Sequence, residues 1–119
     1  MSSNTKRLDF IGVNYLTKLF LKNILIIGGG AIGILSALIL ENIKQEIGDL
    51  SRITNWVRVF GMVNSAPGYD EQHIVINGFS ELILEVFGTD IGKHSRSAIG
   101  VAGLPMNLAI EIEGEVLIE

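Results

Sequence analysis

The sequence predicts an α+β fold, one mixed sheet with two helices packed on one of its faces. Three observations predict it. Leu108 to Ile118 alternates, with Leu108, Ile110 and Ile112 on one side and Glu111, Glu113 and Glu115 on the other. That is the period of two of a half-exposed strand. Ala31 to Ile47 and Asp70 to Phe87 carry apolar residues every three to four positions, the spacing of a helix with one buried face. Ile53 to Val63 is rich in Ile, Trp, Val and Phe, which suit a pleated surface.

The elements follow in order. Asn14 to Phe20 and Asn23 to Ile27 are short apolar runs joined by Leu21-Lys22, and they predict an opening hairpin. Gly28-Gly29-Gly30 ends it. The first helix is expected over Ala31 to Ile47, with Gly48 as its C-cap. The strand Ile53 to Val63 leads into a loop at Asn64-Ser65-Ala66-Pro67-Gly68. The second helix, Asp70 to Phe87, stops at Gly88. Ser95 to Val101 is a further strand, and Leu104-Pro105-Met106-Asn107 turns the chain into the last one. The expected order is β-β-α-β-α-β-β.

A chain of 119 residues is enough for a single domain, 1–119, with one core. Hydrophobic residues make up 48% and charged residues 18%, so the chain has the apolar content to fold. The net charge of −4 argues against a general nucleic-acid binder, which needs a basic face to displace counterions. There is no cysteine, hence no disulfide, thiolate metal site or catalytic thiol. This fits a cytoplasmic protein. His73 and His94 are too isolated to suggest a metal site, which needs three or four converging ligands, and both read as surface or loop residues.

Two patterns near the N-terminus compete with the hairpin. IIGGGAIG, Ile26 to Gly33, fits the glycine loop that cradles a dinucleotide pyrophosphate. That motif also needs an acidic residue at the end of the next strand, and Val63-Asn64 supplies none. No cofactor is therefore expected. Ile24 to Leu40 is 17 residues without a charge, at the short limit for a membrane helix. Three successive glycines suit a turn better than a helix centre, and no membrane partner is expected.

The second half carries linked motifs. His73-Ile-Val-Ile-Asn77-Gly78-Phe-Ser80-Glu81-Leu82 is followed by Glu85-Val-Phe-Gly88. Then come His94-Ser95-Arg96-Ser97-Ala98-Ile99-Gly100-Val101-Ala102-Gly103-Leu104-Pro105 and Ile110-Glu111-Ile112-Glu113. In order and spacing they resemble the RidA (YjgF) family, and within it the branch with an H-x-R-S-A-x-G-V strand. Ala31 to Leu50 resembles the family's first helix, and Asn14-Tyr15 with Asn23 to Gly29 its opening hairpin. Gly28 replaces the serine usual there. A stretch of roughly twenty residues that the family carries between hairpin and helix is missing between Gly29 and Ala31; ordinary loops run to only about 4 to 6 residues.

The resemblance implies a chorismate-mutase-like fold, a homotrimer and small-molecule clefts between subunits. It further implies hydrolysis of reactive 2-enamine or 2-imine acids to 2-keto acids and ammonia. Arg96 matches the carboxylate-binding arginine, since a guanidinium offers the planar two-pronged grip a carboxylate needs. Glu111 matches the acid that orients water, and the two are expected to come from adjacent strands into one cleft. Tyr15, Gly28, Asn77, Ser97 and Ala98 match substrate-binding positions. Ala98 stands where many deaminases of the family have cysteine. The alternative is a non-catalytic trimer that holds a small carboxylate metabolite or a partner protein.

Overall fold

The computed structural model describes residues 5–13 and 30–119. Within them the chain forms four strands and two helices: β1 (Lys6–Val13), α1 (Gly30–Ile47), β2 (Ile53–Asn64), α2 (Gln72–Gly92), β3 (Ser95–Val101) and β4 (Ile110–Ile118). The sheet order is β1-β4-β2-β3. β4 pairs antiparallel with both β1 and β2, while β2 and β3 are parallel. The α+β expectation holds, with a mixed four-stranded sheet and both helices on one face. The order is not the parallel array of a dinucleotide-binding sheet. The predicted hairpin strands, Asn14 to Phe20 and Asn23 to Ile27, lie outside the described residues. β1 was not expected, because KRLDFIGV mixes charge and apolar residues without clean alternation.

α1 buries Leu35, Ile39, Ile43 and Ile47 at intervals of four, so one stripe faces the sheet. Ser36 is buried on the same helix and donates to the Ile32 carbonyl at 2.6 Å, which removes the cost of an unmet hydroxyl. Gly48 ends the helix with φ of +91°, its N–H bonded to the Lys44 carbonyl at 2.7 Å. That left-handed cap suits glycine, which has no Cβ to clash. Asp49 then caps a short 3₁₀ turn, accepting from the Ser51 N–H at 2.8 Å. Arg52 ties this turn to the C-terminus, donating to the carbonyls of Ile47 and Glu119 at 2.8 and 2.7 Å.

The core lies between the helices and one sheet face. Ile76, Phe79 and Ile83 of α2 meet Trp56, Val59, Ile112 and Val116 there. Trp56 packs edge-on to Phe79 with centroids 6.0 Å apart, a favoured aromatic geometry. α2 runs past its expected stop at Phe87, but Gly88 breaks helical geometry at φ 77° and ψ 167°. The glycine does end the regular helix, and one further turn follows it. No helix among the described residues is long and apolar enough to cross a membrane.

Candidate functional site

β3 is an edge strand with two unlike faces. Arg96 and Ala98 are half-buried on the helix side, whereas Ser95, Ser97 and Ile99 are exposed. Arg96 extends toward α2 and donates to Ser80 Oγ at 3.2 Å. Asn77, Ser80 and Leu84 follow one another at helical spacing on α2, so they share a helix side. Ser80, Leu84, Lys93, His94 and Arg96 line an open cavity of about 230 Å³.

Two hydrogen bonds organise the floor of this cavity. Ser80 Oγ lies 2.9 Å from His94 Nε2, and His94 Nδ1 lies 2.6 Å from the Gly92 carbonyl oxygen. A carbonyl only accepts, so Nδ1 carries the proton, and Nε2 of the neutral ring accepts from the serine hydroxyl. With the ring neutral, Ser80 donates to His94 while accepting from Arg96. His94 lies in the loop between α2 and β3, as expected of a surface or loop residue, but it is half-buried and bonded on both ring nitrogens. Its partner is 14 residues away on another element, beyond any local sequence signal.

Glu111 sits elsewhere. On β4 the residues Ile110, Ile112, Val116 and Ile118 are buried toward the helices, so Glu111, Glu113 and Glu115 line the opposite, open face. Glu115 pairs with Arg7, and Glu113 lies 3.9 Å from Arg58. The expectation that Arg96 and Glu111 come from adjacent strands is overturned, because β2 lies between β3 and β4. Arg96 aligns with Val59 and then Gly114, three residues from Glu111. Two strand spacings and three residue rises separate their Cα atoms by roughly 14 Å, and their side chains leave opposite faces. One chain alone does not bring them together.

The other expected positions divide. Asn77 is half-buried on α2, one turn before Ser80. Ala98 packs at the margin of the core, on the Arg96 face. Ser97 is exposed on the opposite face, in register with Phe60. Tyr15 and Gly28 lie outside the described residues. Among the described residues neither Arg96 nor Glu111 has an oppositely charged partner, and no group of three or more His, Asp or Glu is placed to hold a metal.

No family model matches the chain. Over its full length it is similar to the structure of Atu1372 from Agrobacterium tumefaciens, a protein of unknown function. The identity is 32% and the TM-score 0.78, with 79% of that chain covered. The chain belongs to the same family as Atu1372. A candidate endoribonuclease from Shewanella oneidensis shares the fold at TM-score 0.73 and 24% identity, over 92% of this chain and 78% of that one. A second, from Thermotoga maritima, superposes at TM-score 0.55 and 23% identity, covering all of this chain and 83% of that one. These last two likenesses show a shared fold. Protein TCP17 of Trypanosoma cruzi is 42% identical over 78 residues, 66% of this chain. The chain spans about half the length of that curated relative.

Proposed function

We propose that this chain is a cytoplasmic RidA-like enzyme that hydrolyses reactive 2-enamine or 2-imine acids to 2-keto acids and ammonia. The reaction takes place in a cleft between copies of the chain in a homotrimer. One observation carries the reading: a half-buried guanidinium, Arg96, lines an open cavity and has no carboxylate partner among the described residues. Such a group is stabilised by an anion that arrives from outside. The substrate carboxylate is that anion, gripped by two parallel N–H···O bonds. Lys93 adds positive charge at the mouth of the same cavity.

Glu111 joins the site from a neighbouring copy. β3 puts Arg96 at the rim of the sheet, and the open face of a second protomer brings its own Glu111 against that rim to orient the attacking water. Asn77 and the backbone around Ala98 complete the binding surface. The neighbours' endoribonuclease description is not carried over, since a chain of net charge −4 gains little from counterion release on RNA.

The test is ammonia release from enzymatically generated iminoalanine. Wild type turns it over. Arg96→Ala lowers kcat/KM by about 100-fold or more, as loss of a paired charge-assisted contact implies. Arg96→Lys does not restore it, because an ammonium lacks the planar fork. No wild-type rate above background sinks the enzyme reading for this substrate. A rise in melting temperature with pyruvate, without turnover, then marks a metabolite-binding module.

A further inference from the structure

Imine hydrolysis needs more than a carboxylate grip and a placed water. A proton must leave the attacking water, and another must reach the departing nitrogen. Arg96 offers only donors and is engaged with the Ser80 hydroxyl, and Lys93 is exposed at the cavity mouth. Among the described residues no carboxylate lines the cavity. The groups there that can exchange a proton are Ser80 and His94.

We infer that Ser80 and His94 form the proton relay of this site, with Ser80 Oγ facing the substrate and His94 Nε2 holding the proton. This rests on the deaminase reading above and assigns it a step that Arg96 and Glu111 leave open. The geometry meets the demands of a relay. The Ser80–His94 separation of 2.9 Å is within proton-transfer reach. The Gly92 carbonyl, 2.6 Å from Nδ1, fixes the tautomer and stabilises the imidazolium once it forms. Arg96 donates to the same Oγ at 3.2 Å, so the carboxylate anchor and the relay share one atom. A serine oxygen has two lone pairs, and the second remains for water or the substrate nitrogen.

The step balances. The substrate enters as the iminium acid. Water oxygen bonds to the C=N carbon, and the π pair moves onto nitrogen. One water proton passes to Ser80 Oγ as the Ser80 proton passes to His94 Nε2. The resulting carbinolamine takes that proton back through Ser80 onto its amino group. The C–N bond breaks, the carbinol oxygen closes to C=O, and its proton leaves with the nitrogen as ammonium. His94 returns to its neutral form.

Three variants test this in the full chain with iminoalanine, each first checked for folding by thermal melt. His94→Gln keeps a hydrogen-bonding side chain yet cannot hold a proton. Its kcat is expected to fall about 100-fold with KM unchanged. Ser80→Ala loses activity likewise, while Ser80→Thr, which keeps a hydroxyl, retains most of it. If Ser80→Ala fails to fold, His94→Gln decides alone. Wild-type turnover that survives His94→Gln overturns the relay and leaves the deaminase reading standing. Absence of wild-type turnover overturns both.

Discussion

At the scale of single residues, the molecule places charge where a short backbone contact defines it. The Ser51 backbone N–H beside Asp49 holds that carboxyl below the usual aspartate range, helped by the Ser51 side chain. The sign follows from linkage. A carboxyl whose folded pKa is lowered stabilises the fold above its unfolded value of about 3.9. That contribution is lost as pH falls through the lowered folded value. Asp49→Asn keeps an acceptor for the cap but has no charge to lose. Wild type should therefore have the higher urea midpoint at pH 7, and the gap should close under acid conditions. A gap of constant size across the pH range would show that the carboxylate charge plays no part. The site residues teach a related lesson about legibility. Arg96 and Asn77 could be singled out in the sequence because the resemblance sets them in linear order. The Ser80–His94 pair could not, because its two members meet only when α2 turns back onto β3.

At the scale of elements, periodicity marked α1 and β4 to within about two residues, since each buries one face and repeats accordingly. β1 escaped because Lys6, Arg7 and Asp9 interrupt its apolar residues and its identity depends on pairing with β4. Strand alternation also revealed that Glu111 faces away from the core. It could not reveal that β2 separates β3 from β4, because neighbour order is a property of the whole sheet. The close fit of α2 onto β2 is a second feature hidden from local pattern. A Cβ built on Gly61 would lie 2.6 Å from both Cγ1 and Cδ1 of Ile76, and Ile76 is fully buried. The glycine is there for approach distance, not for a turn. Gly61→Ala should destabilise by about 1–3 kcal/mol, the usual cost of overpacking. Adding Ile76→Val, which removes the Cδ1 atom, should recover part of the loss. Chemical denaturation of both variants checks this, and an unchanged Gly61→Ala midpoint would mean that the helix has room to shift.

At the scale of the whole molecule, the sheet is asymmetric in a way that bears on assembly. Both helices cover one face. The other face carries three rows across β3, β2 and β4: Ser95, Arg58 and Glu115; Ser97, Phe60 and Glu113; Ile99, Met62 and Glu111. Arg58 reaches over the Phe60 ring at 5.4 Å and toward Glu113, so the first two rows are knit together by charge. The third row has Ile99 at 40% exposure beside Met62 and a Glu111 without an ion-pair partner among the described residues. An antiparallel sheet tolerates water on one face. Ile99 and Met62 nevertheless gain by being covered, and an intersubunit site needs that end of the sheet against a neighbour. The proposed homotrimer therefore predicts a solution mass of about 39 kDa, three times the 12.9 kDa chain. Ile99→Asp adds a second negative charge to the row that carries Glu111, so a seam covering that row should open and the mass move toward that of one chain. Iminoalanine turnover should fall in parallel, although the Arg96 cavity lies on the other side of the sheet. Light scattering and turnover measured on the same samples separate the cases. A monomeric wild type that is fully active would remove the neighbouring Glu111 from the mechanism. A stable trimer that survives Ile99→Asp would place the subunit seam elsewhere on the chain.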